Sequence, residues 1–127
     1  MTQIYAWNDG YAMARWRRTY PALRRGDFNL RWTTTRTGDE SDAGILAFDR
    51  QYEGQYALVV INAQGNHPSE TRSPENTAMT VGAAAGTVLV DLVTGDRFTV
   101  GADQTLVVEV DVFGTRLLVP EDQVVAE

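Results

Sequence analysis

From residue 28 onward, hydrophobic residues recur at every second position. FNLRWTTTR (28–36) alternates, with Phe28, Leu30 and Trp32 on one face. That period predicts a strand with one buried side. GILAFDRQY (44–52), YALVVIN (56–62), GTVLVDLV (86–93), DRFTV (96–100), TLVVEVDV (105–112) and TRLLV (115–119) continue the series. YALVVIN is the most apolar run, which predicts a central strand. TLVVEVDV is expected to turn Val108, Val110 and Val112 inward and Glu109 and Asp111 outward. Turn chemistry separates the runs: GDESDAG (38–44), Glu53-Gly54-Gln55, Thr94-Gly95 and Gly114. Residues 63–78, rich in Pro, Asn and Ser, read as a polar loop, and GAAAG (82–86) as a flexible link. About seven strands at short, regular spacing predict a mainly β fold, an antiparallel β-sandwich or Greek key.

The start of the chain has a different period. Asn8 or Asp9 can cap a helix running to about Arg18, with Ala12 and Trp16 on one face and Tyr5 extending the stripe. Arg15, Arg17 and Arg18 fall in its last turn, where cations suit the helix dipole. Pro21 disfavours helix at Tyr20, and PALRRG forms a second short turn that stops at Gly26. The chain therefore divides into an N-terminal helical segment, 1–26, and a β-sandwich, 27–127.

Composition narrows what such a domain can do. A chain of 127 residues with 43% hydrophobic content supports one packed core. The absence of cysteine excludes a disulfide framework, a thiolate nucleophile and a cysteine-based zinc site. The net charge of -6 is unevenly spread: residues 1–36 balance at +5 and residues 37–127 at -11, and lysine is absent. An acidic bulk argues against nucleic acid, whose phosphates demand a basic footprint. MTQIYAWNDG lacks the basic and apolar regions of a leader, and no apolar run approaches the ~20 residues a membrane span needs. A soluble domain is expected.

Candidate chemistry is sparse. His67 is the single histidine, without the partners of a triad or zinc site, and reads as a solvated loop residue. Asp39, Glu40 and Asp42 could gather calcium but lack EF-hand spacing, so a solvated turn is expected. Glu109 and Asp111 share a face, as paired glycosidase carboxylates would, but alternate with valines as a solubilising face does. GAAAG lacks the frame of a phosphate loop. No catalytic residue, metal or cofactor is expected. Among the aromatics, Trp16 and Trp32 fit core positions, whereas Trp7, Tyr52 and Tyr56 flank turns and are the candidates for stacking on a sugar.

Five segments carry a family resemblance. ARWRRTYPALRRGDF (14–28) resembles the exit of the last barrel helix in the alpha-amylase family, glycoside hydrolase family thirteen. GILAFDRQ (44–51), YALVVINAQ (56–64) with Asn62, VDLVTGDRF (90–98) and FGTRLLV (113–119) are similar to successive strands and hairpins of that family's C-terminal domain. The order and spacing together cover nearly the whole chain. The departures are a long loop at 63–78 and a proline-free VEVDVFGT turn. The resemblance implies a β-sandwich attached to a (β/α)8 barrel, with the catalytic carboxylates on the barrel and none in this chain. The implied role is a non-catalytic accessory domain that stabilises the barrel of an α-glucan-active glycoside hydrolase or transglycosidase. The alternative is a carbohydrate-binding module for starch or maltodextrin. The apolar stripe of the N-terminal segment would find the barrel, the sandwich itself or a second copy of the chain.

Overall fold

The computed structural model describes residues 20, 22–25, 27–34 and 38–124. The helix expected to end near Arg18, with Trp7 and Trp16, lies outside the described residues. Among the described residues, ten short strands follow a four-residue helix, α1 (Ala22–Arg25), at the place where PALRRG foretold a turn. The strands are β1 (Asn29–Thr33), β2 (Ile45–Tyr52), β3 (Gln55–Asn62), β4 (Ser69–Glu70), β5 (Met79–Thr80), β6 (Val88–Asp91), β7 (Arg97–Thr99), β8 (Thr105–Leu106), β9 (Glu109–Val110) and β10 (Thr115–Pro120).

Six of them form one antiparallel sheet in the order β1-β2-β3-β10-β6-β7. The other four make two small antiparallel ribbons, β4 with β9 and β5 with β8, on one face of that sheet. Between these layers lies the main core. Ile45, Ala47, Leu58, Val60, Leu89 and Leu118 from the sheet meet Met79, Leu106, Val108 and Val110 from the ribbon side. The fold is mainly β, antiparallel and sandwich-like. As YALVVIN foretold, β3 is interior and apolar on both sides. Its Leu58 and Val60 face the ribbons, while Ala57 and Val59 face a second cluster with Tyr20, Ala22, Leu23, Leu117 and Val119. Fully burying a side chain of this size contributes about 1.5–3 kcal/mol, so alternation alone dictates which face each residue takes.

The hairpin between β2 and β3 turns on Glu53 (φ 49°) and Gly54 (φ 83°). Two consecutive positive φ angles give the turn whose twist matches the strands. The VDLVTGDRF hairpin is held by Asp91. Its carboxylate accepts from the Val93 backbone N–H (2.9 Å), the Thr94 hydroxyl (3.2 Å) and Arg116 Nη1 (2.9 Å).

Several expectations are corrected. A β-bulge between Leu30 and Trp32 flips the register. Trp32 then packs against the main core, whereas Phe28 and Leu30 emerge on the opposite face, 60% and 53% exposed. An extra residue in one strand reverses side-chain direction, which strict alternation does not anticipate. The polar stretch 63–78 contains β4 and a bridge from Arg72 to Ala78. TLVVEVDV is two segments with different partners, and Val112 is exposed. GAAAG is no slack link: Gly82 N–H donates to Asp49 and Gly86 N–H to the Val100 carbonyl.

Candidate functional site

Of the expected sugar-stacking residues, Tyr52 and Tyr56 are described. Trp7 lies outside the described residues. Tyr52 is half-buried against the second cluster. Tyr56, expected at the surface, is buried in the main core. It begins the buried alternation of β3, because the two-residue turn places it inside the strand rather than beside it. Its hydroxyl donates to Asp49 Oδ2 at 2.6 Å. The same oxygen accepts from Arg31 Nε (2.9 Å) and Gly82 N–H (2.8 Å), while Oδ1 accepts no bond among the described residues. Burial first, and then the bond to Asp49, push the Tyr56 phenol well above its ordinary pKa. This network ties β1, β2, β3 and the 82–86 segment into one unit.

His67, expected as a solvated loop residue, stays at the surface and bridges two loops. Its Nδ1 meets the Pro68 carbonyl at 2.7 Å and its Nε2 the Gly38 carbonyl at 2.9 Å. Those carbonyls, with Asp39 and Glu40 close by, raise its pKa. The acidic turn does not converge: Glu40 accepts from Gly38 N–H, and Asp42 accepts from Trp32 Nε1 at 3.1 Å. Among the described residues no group of three or more His, Asp or Glu could hold a metal ion. Glu109 and Asp111 are both exposed, as their alternation with valines predicts. Asn62 is buried, donating to the Val110 and His67 carbonyls, so its place at the end of β3 locks the strand to the ribbon side.

Two surface features went unread. On the sheet face opposite the ribbons, Phe28 stacks on Phe48 with ring centroids 4.7 Å apart, and Leu30 and Leu46 are exposed beside them. This apolar area adjoins the second cluster, which holds Tyr20 and α1. The other feature is Phe113, between β9 and β10. It is 74% exposed, with a left-handed φ of 49°. The bulge that reveals the first carries no sequence signal, but an isolated Phe before Gly114, outside any alternation, marks the second. Among the described residues no helix is long and apolar enough to cross a membrane.

The family model described as "Maltogenic Amylase, C-terminal domain" matches residues 36–117. Solved structures of similar fold include an Anoxybacillus alpha-amylase (22% identity, TM-score 0.57, covering 79% of this chain and 19% of that one). Another is the alpha-amylase from Geobacillus thermoleovorans complexed with acarbose (18% identity, TM-score 0.62, covering 81% and 20%). AmyP in complex with maltose is a third (17% identity, TM-score 0.58, covering 84% and 18%). The chain thus spans about a fifth of the length of these proteins. No curated protein sequence matches.

Proposed function

Because the chain belongs to the family of maltogenic amylase C-terminal domains, we propose that it is a non-catalytic accessory domain that stabilises the (β/α)8 barrel of an α-glucan-active glycoside hydrolase or transglycosidase. The observation that carries this reading is the apolar sheet face of Phe28, Leu30, Leu46 and Phe48. Scattered exposed apolar residues are ordinary, but a contiguous group extending a buried cluster calls for a cover. That cluster contains Tyr20 and Leu23, the residues through which the chain enters the sheet from its N-terminal side. In the resemblance described above, the barrel precedes that point. Covering Phe28, Leu30 and Leu46, which are 60%, 53% and 37% exposed, would contribute of order 3 kcal/mol to the joint stability.

The test is to place Phe28→Asp with Leu30→Asp in the enzyme that carries this domain and to follow thermal unfolding of the barrel. A lowered unfolding temperature with the sandwich still folded is expected. An unchanged barrel transition would reject this face as the contact. The alternative, a carbohydrate-binding module acting through Trp7, Tyr52 and Tyr56, gains no support from the two tyrosines, which are half-buried and buried.

A further inference from the structure

We propose that Phe113 is a stacking platform for one pyranose ring of an α-glucan. This goes beyond the buttress role and does not depend on that contact. The glucan class rests on the family reading; the platform itself rests on the geometry.

Phe113 combines two locally unfavourable choices. A large apolar side chain is left 74% exposed, and its backbone sits at φ 49°, a conformation that favours glycine. Such outliers persist where the surroundings enforce them, and they cluster at ligand sites. Here the surroundings do enforce it. Phe113 N–H donates to the Gln64 carbonyl (3.1 Å), Gly114 N–H to the Asp111 carbonyl (2.9 Å), and Asn62 N–H to the Gly114 carbonyl (3.0 Å). The ring rests on Gly65, where an added Cβ would fall 2.4 Å from Cε2 and 2.8 Å from Cζ. An aromatic ring seated against glycine has less rotamer freedom left to lose on binding.

The surroundings select the ligand. Asn66, next to Gly65 in the chain, and Asp111, two residues before Phe113, are exposed, and the Asn66 side chain makes no hydrogen bond among the described residues. An amide and a carboxylate serve hydroxyl groups as donor and acceptor. His67, next to Asn66, is engaged by the Pro68 and Gly38 carbonyls, so it is not free to hold a phosphate or carboxylate. A protein partner needs roughly 800 Å² of surface on each side. At this turn the exposed large apolar residues, among the described residues, are Val112 and Phe113. A single pyranose, with its apolar C–H face, fits a plate of one ring.

The experiment titrates the isotopically labelled chain with maltoheptaose, with cellohexaose in parallel, and follows amide shifts. Saturable shifts at Gly65, Asn66 and Phe113 with a millimolar dissociation constant are expected for the α-glucan. Phe113→Gly should weaken binding by about tenfold or more while leaving the melting temperature unchanged or raised, since glycine relieves the strain. No saturable shift by about 10 mM maltoheptaose, weak even for a single stacked ring, would overturn the proposal. So would binding that survives Phe113→Gly. Equal binding of cellohexaose would overturn the α-glucan assignment.

Discussion

Tyr56→Phe tests whether the buried polar network stabilises the sandwich. The substitution keeps the ring in the core and removes only the hydroxyl that donates to Asp49 at 2.6 Å. Asp49 is fully buried and keeps Arg31 and Gly82 as donors to Oδ2, while Oδ1 accepts none among the described residues. A hydrogen bond to a charged acceptor contributes about 1.5–3 kcal/mol, and an under-satisfied buried carboxylate incurs a penalty of similar size. With Arg31 still paired to it, the lower part of that range applies, about 2 kcal/mol. For a chain of this length that loss lowers the melting temperature by roughly 8 °C. Urea unfolding followed by circular dichroism would measure it, with the slope m unchanged if only the folded state is affected. In an Asp49→Ala background the same change should cost much less, because the acceptor is gone. A Tyr56→Phe variant within about 0.5 kcal/mol of the parent, a surface-like effect, would show that the hydroxyl bond is not what holds β2, β3 and the 82–86 segment together.

His67 provides a pH readout. Both carbonyls it meets can only accept, so both contacts are hydrogen bonds only when the ring is protonated. The folded pKa is therefore above the unfolded one, near 6.5. The contribution to stability is fully present below that value and is lost as pH rises through the folded pKa. Unfolding free energy should fall over this window in the parent and not in His67→Gln; matching pH slopes would remove the latch. Gly44→Ala should cost about 2 kcal/mol or more, because Gly44 has φ +77° and a Cβ there would lie 2.6 Å from Gln64 Cγ. A urea midpoint equal to the parent's would contradict that close approach.

The fold was legible where one rule decided the outcome. Alternation located β2, β3 and β10, since each buries a continuous face, turn chemistry marked the hairpin at Gly54, and a family motif marked the one that Asp91 then explains. It failed where pairing departs from regular geometry. The bulge between Leu30 and Trp32 reverses Phe28 without a trace in the hydrophobic pattern. Residues 69–70 and 79–80 make strands only because their backbones meet distant partners, so nothing local distinguishes them from loop. Tyr56 was misplaced because the first residue of the expected strand was read as flanking the turn, whereas β3 begins one residue earlier and turns Tyr56 into the main core. His67 looked idle because its partners are backbone carbonyls, which any sequence supplies.

The strand order has a consequence for how the chain acquires its structure. β3 pairs with β10, and β10 in turn holds β6. Residues 55–62 therefore wait for residues 115–120 before their second edge is covered. Closing so long a loop comes before any reward from the contacts it makes, and topologies of this kind fold in milliseconds to seconds. Until then β2 and β3 form a hairpin with one long, flat, apolar edge open, the kind of edge that templates pairing with another chain. Removing β10 would fix the domain in that state, so its loss should appear first as aggregation during synthesis rather than as a lowered melting temperature.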